Sequence, residues 1–250
     1  MELFFVLIIG LCIGSFLNVC IYRIAREESI AFPPSHCTSC NYELKSKDLV
    51  PVLSYIFLGG KCRSCKEKIS IKYPMIEILN ALIYILVYMK YGLSYKTGII
   101  FIFSSLLIVI ALIDYQTKFV YSSTIYFGVI VAILYIVGKG IYFKSIPWDN
   151  LIGGAIGYGI IWLIVVITKS MGEGDIDISL LCGLFLGVRG VAVTLFLAIV
   201  LGGVIGAITL VLKLNDSKSE IAFGPYLAIG GILSAIWANE LINIYMKIIL

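Results

Sequence analysis

The residues of this chain best suited to chemistry are two aspartates and four cysteines. Asp175 stands in Lys169-Ser-Met-Gly-Glu-Gly-Asp-Ile-Asp-Ile-Ser179, between two strongly apolar segments. An acid at membrane depth is costly and marks a functional site by default. Gly172 and Gly174 precede it without side chains, which lets backbone leave a helix or approach another chain closely. Asp177 follows two places later. Irregular backbone at such depth survives only when buried in protein or lining a wet cavity. The stretch therefore predicts a polar notch in a helical bundle, and a solvated turn is the plainer alternative. A notch of this kind needs a partner. Asp114, in Ile110-Ala-Leu-Ile-Asp-Tyr-Gln-Thr-Lys118, ends another apolar segment. Two facing aspartates on different helices cannot both ionise cheaply, so they share one proton. One then deprotonates water while the other polarises a carbonyl. This is peptide hydrolysis without a metal or a covalent nucleophile. Taken alone, Asp114 reads as an interfacial cap; with Gly-x-Gly-Asp beside it, the pair is the better reading.

The cysteines pose a different question. Cys37-Thr-Ser-Cys40 and Cys62-Arg-Ser-Cys65 are two C-x-x-C pairs in one polar stretch. Each pair can bite one metal from a tight turn, so four thiolates predict a closed, structural zinc site. Two disulfides are the competing arrangement, disfavoured if the stretch lies in the reducing cytosol. His36 is the chain's one histidine, expected to be exposed or to support the site rather than bind metal. A single histidine leaves little scope for a Ser–His–Asp triad. Cys12, Cys20 and Cys182 sit in apolar segments and read as core residues.

The elements that must position these groups are membrane helices. Hydrophobic residues make up 60% of the 250-residue chain, against roughly 45–50% in soluble domains, and the mean hydropathy is +1.04. Apolar runs of about 18–20 residues recur, long enough to span a bilayer. They do not alternate with period two, which argues against a barrel. The expected fold is an all-α polytopic bundle of about eight spans with a small cytosolic zinc-binding domain. The expected divisions are a first span at 1–22, a four-cysteine domain at 23–73 and a membrane-embedded core at 74–250. The later spans read as Pro74–Tyr91, Thr97–Ile113, Tyr121–Gly138, Leu151–Thr168, a short Ile178–Val188, Val191–Leu214 and Phe223–Ile249. Arg23 and Arg26 follow the first span and no Lys or Arg precedes it, which argues against a cleavable signal and puts the N-terminus outside. Nine of the nineteen Lys and Arg residues fall in Arg23–Tyr73. With Lys118, Lys169, Lys213 and Lys218, thirteen lie inside against six outside, in keeping with the positive-inside rule. Asp114 and Asp175 then share the cytoplasmic side. Gly10/Gly14, Gly153/Gly157 and Gly202/Gly206 are spaced for helix packing. Asn18 is a polar residue within the first span, more simply a helix–helix hydrogen bond than chemistry.

Several stretches, in order along almost the whole chain, resemble the type IV prepilin peptidases, intramembrane Gly-x-Gly-Asp aspartic proteases. They are Gly14-Ser-Phe-Leu-Asn-Val-Cys-Ile-Tyr-Arg23, the paired cysteine motifs, Lys72-Tyr-Pro-Met-Ile-Glu-Ile-Leu79, Leu112-Ile-Asp114, Gly172-Glu-Gly-Asp175 and Phe223-Gly-Pro-Tyr-Leu-Ala228. The chain departs from the family pattern in two places. Asp177 stands where a lysine is usual, and Phe119-Val-Tyr121 replaces the usual Ile-Pro or Leu-Pro.

The resemblance implies removal of a short basic leader from type IV prepilins or pseudopilins on the cytoplasmic side of the inner membrane. It also implies methylation of the new N-terminal amine with S-adenosylmethionine; the residues themselves show no methyl-donor motif. It makes Asp114 and Asp175 catalytic. Gly172, Gly174, Asp177, Glu77 and Asn18 become candidates to line the substrate groove, and Glu77 or Asn18 to bind the new amine. The partners implied are the pilin substrates and the lipid bilayer, with no nucleic acid. Two other readings stay open at this point: a peptidase without methylation, and an ion- or proton-coupled transporter or scaffold carrying a structural zinc domain.

Overall fold

A computed structural model describes residues 1–168, 171–212 and 222–249. Lys169, Lys213 and Lys218, counted above for topology, and Leu214, the expected end of a span, lie outside the described residues. The helices are α1 (Glu2–Ile24), the short α2 (Leu53–Phe57), α3 (Lys72–Tyr91), α4 (Tyr95–Thr117), α5 (Ser122–Phe143), α6 (Trp148–Thr168), α7 (Glu173–Val211) and α8 (Gly224–Ile249). Among the described residues, pairing outside helices is confined to two isolated bridges, His36–Glu43 and Lys61–Lys68. All but α2 are long and apolar enough to cross a membrane, as expected of a multi-pass protein. Two compact units are present, Met1–Val109 and Ile110–Leu250.

In the first unit α1 and α3 pack backbone to backbone. A Cβ on Gly10 would lie 2.7 Å from the Ala81 Cα, and one on Gly14 would lie 2.6 Å from the Glu77 Cα. Small residues are what permit such an approach between apolar helices. Polar ties fix the register. The Asn80 amide donates to the Gly10 carbonyl at 2.8 Å and accepts from the Ser105 hydroxyl at 3.0 Å. The Asn18 amide donates to the Tyr73 carbonyl at 3.1 Å, the helix–helix role expected of it. Arg23 is buried, and its guanidinium donates to the carbonyls of Ser29 and Pro33 at 2.9 and 2.6 Å. It thus anchors the chain leaving α1. Of the three cysteines expected in the core, Cys20 and Cys182 are buried, but Cys12 is exposed on α1. A thiol is apolar enough to face lipid as readily as core.

In the second unit α7 is two helical arms. Its backbone breaks at Gly187, with φ 73° and ψ −173°. Ile178 and Gly202 would stand about 36 Å apart on a straight helix. Yet a Cβ on Gly224 would touch Ile178 at 3.1 Å, and one on Gly202 would touch the adjacent Phe223 at 3.2 Å. The chain therefore folds back at Gly187, and α7 supplies both the short segment and the long one expected from hydropathy. The short arm begins at Glu173, five residues before its expected start, because Asp175 and Asp177 lower the hydropathy of a turn that is still helical. α6 runs along this arm, with the Ser179 hydroxyl donating to the Gly157 carbonyl at 2.9 Å and the Asn150 amide to the Leu184 carbonyl at 2.8 Å. α8 runs along the returning arm, with the Ser234 hydroxyl donating to the Gly190 carbonyl at 2.7 Å.

Asp149 holds the reversal. Its Oδ1 accepts the Val188 N–H at 3.3 Å, and a Cβ on Gly187 would collide with its carboxylate. Gly187→Ala combines that collision with a backbone region open essentially to glycine. It is expected to destabilise the protein by at least about 1–3 kcal/mol, read as a lower Tm in detergent.

Candidate active site and metal centre

The two aspartates come from different helices. Asp114 lies in the last turn of α4, which runs on to Thr117 rather than stopping at Ile113. Asp175 lies in the first turn of α7, its N–H donating to the Gly172 carbonyl at 3.1 Å. Each is only 5% exposed, so neither is a solvated cap. Their carboxylates interact electrostatically. Two buried acids converging from separate helices have the composition of a shared-proton dyad.

Gly224, at the start of α8, completes this arrangement. Its N–H donates to the Asp114 Oδ2 at 3.1 Å. A Cβ there would stand 2.5 Å from the same oxygen, so only glycine brings the amide this close. The Phe-Gly-Pro stretch carried the resemblance, but nothing in its spacing pointed to a partner 110 residues away in sequence. Gly224→Ala is expected to displace the carboxylate and reduce cleavage about 10²-fold, the order of a 1 Å misplacement, with the Tm little changed. Near-normal cleavage by this variant would remove Gly224 from the site.

The glycines before Asp175 divide in role. Gly172 precedes the helix, and the nearest atom to a Cβ there is the Asp175 Oδ2, at 3.9 Å. Gly174 is within the helix, and a Cβ on it would strike Val120 at 2.5 Å. The room at Gly174 is filled by the chain's own Val120, so its glycine serves packing and the irregular backbone ends at Gly172. Asp177 is half-buried and interacts with Glu173, one turn before it. Two helical residues separate it from Asp175 by about 200° around the axis, so it faces away from the dyad.

The four cysteine thiols of the first unit form one cluster, all Sγ atoms lying within 4.8 Å of one another. The two knuckles repeat the same turn. Cys37 N–H donates to Tyr42 O, and Asn41 N–H to Cys37 O; Cys62 N–H donates to Glu67 O, and Lys66 N–H to Cys62 O. Asn41 and Lys66 take the matching left-handed conformation, with φ 56° and 62°. Sγ separations of 3.8 Å for Cys37–Cys65 and 4.0 Å for Cys40–Cys62 far exceed the S–S bond length of about 2.05 Å. They match the spacing of about 3.8 Å set by tetrahedral Zn–S bonds. The cluster can hold a metal ion. The backbone N–H groups of Ser39 and Cys40 lower the Cys37 thiol to about 6, placing a thiolate there at neutral pH. At Cys65 the Glu67 amide favours the thiolate, but the crowding of the neighbouring thiols pushes it up to about 12. Asp48 braces the second knuckle by accepting from the Arg63 guanidinium at 2.6 Å. His36 is exposed, its Nδ1 near the Pro34 carbonyl.

Asn18 and Glu77 line one cavity of the first unit. Glu77 is buried, and its Oε2 accepts the Val52 N–H at 2.7 Å, tying α3 to the entry of α2. That link between the membrane helix and the cysteine segment had no counterpart in the sequence pattern.

Residues 8–91 match the model of the bacterial peptidase A24 N-terminal domain, and residues 101–207 match that of the type IV leader peptidase family. A prepilin leader peptidase/N-methyltransferase of Neisseria gonorrhoeae is 31% identical over 255 residues, covering 90% of this chain and 86% of that protein. Proteins of the same name from Pseudomonas putida and Bacillus subtilis (strain 168) are each 29% identical, with 97% of this chain covered, and 93% and 97% of theirs. No solved structure matches. The chain belongs to the type IV leader peptidase family.

Proposed function

We propose that this protein is a prepilin leader peptidase and N-methyltransferase of the inner membrane. It cleaves the leader of type IV prepilins or pseudopilins at the cytoplasmic face and methylates the amine so exposed. The observation that carries the peptidase reading is the convergence of Asp114 and Asp175, both buried, with the Gly224 amide fixing one carboxylate oxygen. We assign water activation to Asp114, which the amide orients. Asp175 in its protonated form donates to the scissile carbonyl. Water adds to the carbonyl carbon as its proton passes to Asp114, giving a gem-diol; Asp114 then passes that proton to the amide nitrogen, a gem-diol hydroxyl returns its proton to Asp175, and the C–N bond breaks to leave a carboxylic acid and an amine. A helical peptide bond is shielded from such attack, and the open backbone at Gly172 is where an extended substrate can enter. The clustering of Lys and Arg between α1 and α3 supports an outside N-terminus and a cytoplasmic site.

The cysteine cluster fits zinc by donor type, number and spacing, and Cys37, Cys40, Cys62 and Cys65 would hold it. Four thiolates leave no open coordination position, so the metal would shape the segment rather than hydrolyse peptide. S-adenosylmethionine would supply an electrophilic methyl group for the neutral amine. The test is incubation of the purified protein with a prepilin peptide, read by mass. Loss of the leader reports the peptidase, and an added methyl group reports the transferase. Cleavage with the donor present and no methyl gained would leave a peptidase alone; no cleavage at all would reject the reading.

A further inference from the structure

The first unit holds a cavity of about 400 Å³ that the peptidase chemistry does not use. The ends of α1 and α3 line it with Asn18, Tyr22, Tyr73 and Glu77, and the cysteine segment adds Val52 and Tyr55. The volume lies in the range of small-molecule sites, about 300–1,000 Å³, and suits one nucleoside-sized ligand. Three of its features select the ligand's chemistry.

The first is charge. Glu77 is 7% exposed, and among the described residues no cationic side chain pairs with it; the one ion pair there is Arg63–Asp48. Of the cations that line the cavity, Arg23 is committed to the carbonyls of Ser29 and Pro33, Arg63 is paired with Asp48, and Lys68 is exposed. A buried carboxylate without a counter-charge suits a cationic ligand. The second is aromatic surface. Tyr55 and Tyr73 offer faces that stack heteroaromatic rings and attract cations, while one face of Tyr22 is taken by the Arg26 guanidinium, 3.7 Å from its ring centroid. The third is strain. Val52, a β-branched residue, is held at φ 60° with its N–H bound to Glu77. Such outliers concentrate at ligand clamps.

We infer that this cavity binds the nucleoside sulfonium that donates the methyl group, S-adenosylmethionine, with Glu77 as its counter-charge. The inference rests on the methyltransferase reading above, and it places the donor site wholly within Met1–Val109.

The test is equilibrium binding to the full-length, zinc-loaded protein in detergent. The ligands are S-adenosylmethionine and its uncharged thioether product, S-adenosylhomocysteine. Glu77→Gln keeps an oxygen for the Val52 amide and removes only charge. It is expected to weaken the sulfonium at least about tenfold, as loss of one partner of a buried charge pair does, and the thioether far less. Ser54→Phe, which fills the cavity from α2, is expected to weaken both. Zinc content and Tm verify that each variant is folded. Unchanged sulfonium affinity in Glu77→Gln, or equal losses for both ligands, overturns the role of Glu77. Normal binding of both ligands by Ser54→Phe overturns the cavity. Competition of a basic leader peptide with the thioether, in the absence of any sulfonium binding, would assign the cavity to substrate instead. If wild type cleaves prepilin but neither binds the donor nor transfers a methyl, the methyltransferase reading fails. If wild type methylates while both variants bind normally, only this placement fails.

Discussion

Asp114→Asn and Asp175→Asn are each expected to reduce leader cleavage by about 10²–10⁴-fold, the contribution of one positioned acid or base. The amide keeps the shape of the carboxyl and can still accept the Gly224 N–H, so the fold should survive with little change in Tm. What it cannot do is take a proton from water or give one to a carbonyl. The two substitutions together should cost little more than one, because groups acting as a unit are not additive. Asp177→Asn is the control for choice of carboxylate. It faces away from Asp175 around the helix and interacts with Glu173, so it should lose no more than about tenfold. A dead Asp177→Asn beside an active Asp175→Asn would mean that the wrong acid has been placed in the dyad.

How far the site was legible depends on whether its cause is local. The spans follow from runs of apolar residues, and the knuckles from two C-x-x-C pairs, because spacing alone dictates both. The fold-back of α7 left a local trace as well: Arg189 and Gly190 interrupt the apolar run two residues after Gly187. Asp114 and Asp175 could be paired because each is an acid at a membrane boundary, a rare event with few candidate partners. Contacts between distant backbones leave no such mark. The Gly224 amide on Asp114, Val120 against Gly174, and Glu77 on the Val52 amide each join residues that no periodicity relates. Gly174 shows the limit well. Its lack of a side chain signals a close approach, and the group against it in the fold is the Val120 side chain.

The second large effect is a separation of the two activities. Cys40→Ser is expected to release the metal and abolish methylation while leaving cleavage within several-fold of wild type. A structural zinc site contributes folding free energy directly, about 10–16 kcal/mol in zinc-finger peptides at neutral pH, so losing one thiolate loosens the whole segment between α1 and α3. Cys37 and Cys62 border the cavity assigned to the methyl donor, which would lose that wall. The dyad draws its described contacts from elsewhere. Gly224 on Asp114, Gly172 beside Asp175, Val120 against Gly174 and the packing of α6 and α8 on α7 all lie within Ile110–Leu250. Charge does not tie the leader to the cysteine segment either. Residues 23–73 carry nine Lys and Arg against five acids and would repel a basic leader, which Glu173 and Asp177 are better placed to attract. Conversely, Asp175→Asn should stop cleavage and leave methylation of a pre-cut peptide largely intact. The measurement is both assays on Cys40→Ser, Cys62→Ser, Asp114→Asn and Asp175→Asn, with zinc content read in parallel and pre-cut peptide supplied for the second assay. If Asp175→Asn also loses methylation of pre-cut peptide, or Cys40→Ser loses cleavage as fully as methylation, the activities share one site and this division is wrong.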